Sequence, residues 1–202
     1  MDFSLMTEPH LGGTYKQQLE AARWAESEAL TSFARCDHYL SGADPTPAAT
    51  DAFAVLAGLA RETSDIRLCV LVTPITFRHP AVIVKNATTI DEMSGGRLDL
   101  GIGTGWMELE HEAFGIPFPD WGERFDRLEE ALDYVDAAFG PDPAVFEGDH
   151  YSLYADVQPK PTGIRTIVGG SGKRRTPTLA GHRADEYNFF LPATMSCGSR
   201  IG

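Results

Sequence analysis

The stretch "RLDLGIGTGW", Arg97 to Trp106, decides between two fold classes. Its three glycines resemble a dinucleotide-binding loop, which has the spacing G-x-G-x-x-G and opens a helix. Here the spacing is G-x-G-x-G, and Trp106 takes the position of the third glycine. The next residues, "MELEHEAFGIPFPDWGE", contain two prolines and predict a loop. We therefore favour a barrel strand, because glycines at the carboxyl end of such a strand let a flat ring approach the backbone.

The rest of the chain alternates short apolar runs with helical periods. Predicted strands cover 3–8, 31–36, 66–77, 97–103, 165–170 and 186–191, and predicted helices begin near residues 15, 51, 80, 124 and 174. Pro80 and the pair Gly95-Gly96 delimit the third helix. The run "VFEGDHYSLY" (145–154) predicts a hairpin outside this alternation. The βα order predicts a parallel sheet.

The length limits how that sheet can close. A complete barrel of this kind has about 250 residues, with about 200 near the lower limit, and this chain has 202. We predict an α/β fold, a TIM-type (β/α)8 barrel that is incomplete, with about six βα units. Residues 1–190 are expected to form this domain. The last residues, 191–202, read as a divergent tail, as if the chain were truncated.

Composition excludes several function classes. The formal net charge of −12 disfavours nucleic acids and acidic membranes as partners. No run of about 18 apolar residues predicts a membrane span, and the start "MDFSLMTEPH" lacks the basic segment of a secretory signal. Three scattered cysteines favour reduced thiols and a cytoplasmic location. Because neither CxxC nor HExxH occurs, no metal site is predicted.

Several motifs together resemble the luciferase-like flavin and deazaflavin oxidoreductases. They are "PITFRHPAVIVKNATTIDEMSGGRLDLGIGTGW" (74–106), "FGIPFPDWGERFDRLEEAL" (114–132), "FEGDHYSL" (146–153), "PKP" (159–161) and "VGGSGKR" (168–174). The resemblance extends from about residue 1 to Phe190. It implies a TIM-like barrel, often a homodimer, that binds FMN or the deazaflavin coenzyme F-420 at the carboxyl ends of its strands. It also implies a small-molecule substrate and a flavin or F-420 reductase as partners.

The resemblance assigns roles at the ends of the second, third and fourth strands. His38 is implied to be catalytic and to face the cofactor ring, with Asp37 beside it. A histidine there can transfer a proton near neutral pH. The alternative is a structural role, in which His38 caps the loop or forms a hydrogen bond with a loop carbonyl. Val70-Leu71 corresponds to a non-proline cis peptide in a bulge behind the ring, or else to an ordinary buried pair. Thr104 is expected to contact the cofactor.

The segment "GGSGKRR" (169–175) follows a strand and opens a helix, where free N–H groups suit a phosphate. The family binds its cofactor phosphate through the equivalent segment, so Gly169, Gly170 and Ser171 are predicted cofactor contacts. Three cations at a helix start are unfavourable without an anion. The glutamates of an F-420 tail would supply such an anion. The alternative interpretation of this segment is a plain turn whose basic side chains are solvated.

The substrate pocket is expected to contain Glu8 and Trp106, and Glu8 and His10, at the end of the first strand, are candidate substrate contacts. Trp106 stands where sugar-phosphate dehydrogenases of this family carry a proton-donating glutamate, so that activity is disfavoured. Residues Glu108, Glu110 and Glu112 are predicted to lie on a solvated loop. Arg124 is predicted to pair with neighbouring acids.

Three functions follow from the sequence. The first is an F-420-dependent oxidoreductase that transfers hydride between the deazaflavin and a small organic substrate. The second is an FMN-dependent monooxygenase, of the luciferase or alkanesulfonate type, that uses reduced flavin and O2. The third is an inactive flavin-binding fragment of the barrel.

Overall fold

The computed structural model describes residues 2–42 and 48–190 of the chain. Its strands are β1 (Ser4–Thr7), β2 (Ser32–Arg35), β3 (Arg67–Pro74), β4 (Leu98–Gly103), β5 (Ala144–Glu147), β6 (Ser152–Ala155), β7 (Arg165–Gly169) and β8 (Glu186–Asn188). Six of them form one sheet in the order β1-β2-β3-β4-β7-β8, and every neighbouring pair is parallel. The other two, β5 and β6, form the predicted antiparallel hairpin.

Helices follow the strands of the main sheet. They are α1 (Tyr15–Ser27), α2 (Ala52–Glu62), α3 (Pro80–Ser94), α4 (Glu108–Phe114), α5 (Trp121–Phe139) and α6 (Arg175–Arg183). The limits of α3 are those expected from its sequence, since Pro80 stands in its first turn and Gly95 ends it in the left-handed conformation. At the start of α1, Thr14 and Gln17 form a capping box.

The main core lies between the sheet and the helices. It includes Phe33, Leu68 and Leu100 from the strands and Leu56 and Leu128 from the helices, all fully buried. The inner face of the sheet carries a second, small cluster, formed by Ala34, Cys69 and Ile167. The sheet is curled like half of a barrel, which confirms the prediction of an incomplete TIM-type fold. The predicted tail, 191–202, lies outside the described residues.

The segment after Trp106 differs from the prediction. The expected loop contains α4, which begins after Met107 without a side-chain cap and ends at Gly115. The next helix, α5, starts three residues earlier than predicted, because the carboxylate of Asp120 accepts the N–H of Glu123 and caps it. The absence of a capping residue before α4 explains why its start could not be predicted from local sequence.

The predicted bulge is present in β3. Val70 pairs with Leu100 and Thr73 with Ile102, so two residues of β3 lie opposite one of β4. The non-proline cis peptide joins Leu71 to Val72, one residue later than the predicted pair Val70-Leu71. The shift arises because Val70 still belongs to the regular ladder and the irregularity begins after it.

Among residues 2–42 and 48–190, no helix has the length and apolar character needed to cross a membrane.

Candidate functional site

The floor of the site is a contact between β3 and the glycines of β4 and β7. A Cβ at Gly103 would lie 2.8 Å from Cγ2 of Val72, and one at Gly169 would lie 2.6 Å from Cγ1 of the same side chain. A Cβ at Gly101 would lie 2.3 Å from the carbonyl oxygen of Val70. The glycines of "GIG" therefore accommodate the bulge of the neighbouring strand. They have no role as a dinucleotide loop.

His38 meets a carboxylate from α4. Its Nδ1 lies 2.9 Å from Oε1 of Glu110, whose other oxygen accepts the N–H of Tyr39 at 3.0 Å. The side chain of Glu110 is 1% exposed and that of His38 is 17% exposed. Because a carboxylate only accepts hydrogen bonds, it holds the proton on Nδ1 of the neutral ring and leaves Nε2 as an acceptor.

The prediction that Glu110 lies on a solvated loop was wrong. Met107, Glu110 and His111 occupy the buried side of α4, and Glu108 and Glu112 are exposed as expected. The spacing of these buried residues, i, i+3 and i+4, is a helical period. This spacing is the sequence signal that could have indicated the helix and its buried side, although two of the three residues are polar.

His111 fixes α4 to the loop after β3. Its Nδ1 lies 2.8 Å from the carbonyl oxygen of Met107, and its Nε2 lies 2.7 Å from Oγ1 of Thr76. The carbonyl accepts the proton on Nδ1, and Nε2 shares a hydrogen bond with the hydroxyl of Thr76. This anchor holds Glu110, the preceding residue, in place beneath His38.

The predicted pocket residues surround His38. Trp106 is 69% exposed and meets the His38 ring edge-on, with ring centroids 5.6 Å apart. The ring of His10 lies 5.0 Å from that of His38. Glu8 is exposed two residues before His10, and Thr104 is half-buried after β4. These side chains form a surface at the carboxyl ends of β1, β2 and β4.

Asp37 lies directly under this surface and is buried. Arg78 donates to its carboxylate and to that of Asp51, and Thr73 donates to Asp37 at 2.8 Å. Burial alone would lower the pKa of Arg78, but the two carboxylates raise it overall. The network ties the ends of β2 and β3 to the start of α2. A direct contact between Asp37 and a cofactor stays a prediction.

The predicted phosphate loop leads from β7 into α6. Gly170 has a φ of +148° and donates its N–H to the carbonyl of Asn188 at 3.1 Å. The loop folds around the buried Thr176, since a Cβ at Gly172 would lie 2.3 Å from its hydroxyl oxygen. Within the described chain, the N–H groups of Ser171 and Gly172 have no hydrogen-bond partner. They are free to bind an anion.

Most of the neighbouring basic residues are already paired. Arg175 contacts Asp126 and Glu129 of α5, both at 2.9 Å, so these side chains supply the anion that the helix start requires. Lys160 pairs with Asp142 at 2.8 Å and Arg165 with Asp99 at 2.5 Å. Lys173 and Arg174 are exposed and form no ion pair with any residue that the structure describes.

Arg124 does not pair with acids as predicted. Its Nη1 donates to the carbonyl of Gly105 at 2.7 Å, and its guanidinium lies 3.8 Å from the centroid of Phe118. No carboxylate of the described residues lies within ion-pair distance of it. Burial lowers the pKa of Arg124. The residue therefore supports the backbone just before Trp106.

Metal chemistry has no visible basis in the part of the chain that the structure describes. No three histidine, cysteine or carboxylate side chains there are grouped as ligands of a metal ion.

Known proteins resemble this chain in sequence. The F-420-dependent glucose-6-phosphate dehydrogenase of Kineococcus radiotolerans is 33% identical over 168 residues, which are 81% of this chain and 49% of that protein. The pyrimidine monooxygenase RutA of Escherichia coli O7:K1 is 34% identical over 142 residues, which are 69% of this chain and 42% of that protein. The chain thus spans about half the length of these curated relatives.

Solved structures share the fold. An F-420-dependent secondary alcohol dehydrogenase, in complex with an F-420–acetone adduct, superposes with a TM-score of 0.83 at 23% identity, over 93% of this chain and 57% of that one. The sequence model of the luciferase-like monooxygenases matches residues 1–195. The chain has a curled parallel sheet, and its histidine site lies at the carboxyl ends of the strands. It belongs to the luciferase-like monooxygenase family.

Proposed function

We propose that this chain carries the site of an F-420-dependent oxidoreductase, in which His38 transfers a proton while hydride passes between the deazaflavin and a small organic substrate. The contact between His38 and Glu110 carries the proposal. It gives one imidazole nitrogen a fixed partner and leaves the other free at the carboxyl end of β2, where active sites of this barrel type are found.

The residues present fit such a cofactor. The glycines that receive Val72 keep the floor free of side chains at β4 and β7, so Leu71, Val72 and Thr104 would lie against a flat ring. Ser171 and Gly172 offer free N–H groups, and Lys173 and Arg174 offer unpaired charge. With Gly169 and Gly170, they would hold its phosphate and acidic tail. A bound deazaflavin supplies or accepts the hydride.

The protein's own contribution is proton transfer. When an alcohol is oxidised, its carbon loses a hydride and its hydroxyl proton passes to Nε2 of His38. Glu110 stabilises the resulting imidazolium without taking its proton. In the reverse direction, the imidazolium returns a proton to the oxygen of the carbonyl. The partners that the resemblance implies, a reductase for the cofactor and a second copy of the chain, belong to this proposal.

A second candidate function is FMN-dependent oxygenation. The similarity to RutA, a pyrimidine monooxygenase, favours it, and the same floor and phosphate loop suit the ring and phosphate of FMN. A third outcome is a chain that binds cofactor without turnover.

Titration with F-420 and, separately, with FMN tests the proposal, with tryptophan fluorescence as the readout. Ser171→Asp places a carboxylate at the phosphate loop without changing a glycine conformation. It should weaken F-420 binding about 10-fold or more through charge repulsion. Gly181→Asp is the matched control, because it adds the same charge to α6 at an exposed position with open space around it.

Tight F-420 binding that only Ser171→Asp weakens supports the proposal. Binding of FMN alone moves the assignment to the monooxygenase. Binding of neither cofactor contradicts both.

A further inference from the structure

We propose that His10 is a second catalytic residue: a neutral imidazole, held by Cys36 in one tautomer, that donates a hydrogen bond from Nε2 to the substrate oxygen. The part of this proposal that concerns the substrate rests on the proposed function. The part that concerns the tautomer stands on the geometry of His10 and Cys36 alone.

Cys36 fixes the tautomer of His10. The Nδ1 of His10 lies 3.1 Å from Sγ of Cys36, and both residues are buried. Burial raises the pKa of the Cys36 thiol to about 11, so it keeps its proton at neutral pH. Within the described part of the chain, this thiol has no other side-chain partner. If its S–H donates to Nδ1, the ring proton of His10 lies on Nε2, and this is the arrangement that the proposal takes.

The neighbouring His38 has the opposite arrangement. Glu110 accepts from its Nδ1, so its Nε2 is an acceptor while the ring is neutral. The two rings are tilted and their centroids lie 5.0 Å apart. Side by side, they present one hydrogen-bond donor and one proton acceptor.

Neither Nε2 atom is fully sealed in the interior. Both lack a hydrogen-bond partner among the described residues. The fully buried side-chain nitrogen and oxygen atoms that lack a partner there are Oδ1 of Asp91 and Nε of Arg124, and neither histidine nitrogen is among them. The proposed substrate oxygen approaches the two rings at these atoms.

The surrounding charges keep His10 neutral. Burial lowers its pKa, and the nearby His38 and Arg35 lower it further. Glu8 and Glu110 act in the opposite direction but do not reverse the shift. Cys36 faces it as an uncharged thiol. A neutral donor suits this role, because a charged His10 would repel the positive charge that His38 acquires when it takes the proton.

The different roles of His38 and His10 keep the protons and electrons of the reaction balanced. In the oxidation of an alcohol, the hydroxyl proton goes to Nε2 of His38, and a bound deazaflavin would accept the hydride that the carbon loses. His10 gains and loses no proton. It holds the oxygen while the C–O bond becomes a C=O bond and, in the reverse reaction, stabilises the charge that develops on that oxygen.

Nuclear magnetic resonance of the protein labelled with 15N-histidine tests the tautomer without any cofactor. Long-range 1H–15N spectra distinguish the two neutral forms from the cation, and His10→Gln and His38→Gln assign the signals. We expect His10 to be neutral, with its proton on Nε2, at pH 7 to 8. Cys36→Ala should shift it toward the other tautomer. A proton on Nδ1 in the wild type, or a cationic ring at pH 7, overturns the proposal.

Kinetics test the catalytic part. His10→Phe should lower kcat/KM roughly 100-fold through the lost donor, and His10→Gln, which restores an N–H, should recover part of it. The F-420 Kd should stay within about twofold, because His10 is proposed to touch only the substrate. His182→Gln, on the exposed face of α6, should match the wild type. Unchanged kcat/KM in His10→Phe overturns the proposal.

Cyclohexanone, a neutral carbonyl probe, separates this proposal from the proposed function. If the chain binds no F-420, the proposed function fails, but the His10 resonance can still be followed during a cyclohexanone titration. A shift of its Nε2 signal that His38→Gln preserves and His10→Gln removes supports the donor role. Absence of any shift overturns it.

Discussion

Glu110 and His38 lie 72 residues apart in the chain, and their side chains meet at 2.9 Å. The contact joins α4 to the end of β2. It depends on α4 lying across the carboxyl ends of β2 and β3, where His111 anchors it to Thr76. A short helix that has no capping side chain at its start thus supplies the buried carboxylate of the site.

Replacing that carboxylate should impair catalysis more than binding. In Glu110→Gln, the amide cannot accept from both His38 and the N–H of Tyr39, so the ring loses its fixed orientation. We expect kcat/KM to fall roughly 100-fold, while the F-420 Kd changes little. Steady-state kinetics and a binding titration measure the two effects. Glu112→Gln, exposed on the same helix, is the control, and equal activity of the two variants would contradict the assignment.

The free energy of unfolding should fall above pH 9. Burial raises the pKa of the Cys36 thiol from 9.0 to about 11, and it raises that of Cys69 still further. Between pH 9 and 11 the unfolded chain releases these protons and the folded chain keeps them, so rising pH favours unfolding. Cys36 alone accounts for roughly 2 kcal/mol at pH 11. Urea unfolding at pH 8 and 10.5 measures the slope. The double variant Cys36→Ala, Cys69→Ala should flatten it, and an unchanged slope would refute this cause.

Removing Arg78 should destabilise the fold strongly. In Arg78→Met the buried carboxylate of Asp37 keeps only Thr73 as a side-chain donor, and we expect a loss of about 3–5 kcal/mol in chemical denaturation. Arg23→Met breaks the exposed pair with Glu62 and should cost less than about 1 kcal/mol. Asp37→Asn in the Arg78→Met background should recover part of the loss. If it recovers none, an uncompensated charge is not the cause.

Gly101→Ala should separate β3 from β4. Its Cβ would lie 2.3 Å from the carbonyl oxygen of Val70, a backbone atom that cannot rotate away. We expect a loss of at least about 2 kcal/mol, measured by thermal or urea unfolding. Gly181→Ala, within α6 and with open space around its Cβ, should instead be neutral or gain up to about 1 kcal/mol. Similar stability of both variants would argue against the close strand contact.

The fold was predictable where the signals are local. The limits of α3 follow from a proline and a glycine within the segment itself, and the hairpin follows from its own turn. The spacing around Gly101 excluded a dinucleotide loop without any structure. These features depend on backbone conformation, which neighbouring residues in the sequence determine.

The site was less predictable because its key contacts join distant segments. His38 could be selected as a candidate, but its partner could not, since the burial of Glu110 depends on where α4 packs. The basic residues near α6 looked like an anion site, and Arg175 in fact pairs with carboxylates of α5. Such ion pairs form through tertiary packing, and the order of charged residues along the chain does not show which of them will pair.

Val72 offers a way to change the depth of the cofactor floor. The Val72 side chain fills the space left by Gly103 of β4 and Gly169 of β7. A smaller residue at position 72 could therefore be combined with a larger residue at one of the glycine positions. At Gly169 the three nearest atoms to an added Cβ all belong to Val72, which makes an alanine there compatible with a smaller residue at position 72. Shortening Val72 alone would deepen the floor by its two methyl groups. An engineered variant could thereby accept a ring that carries an extra substituent, with no change to His38, the proposed proton acceptor.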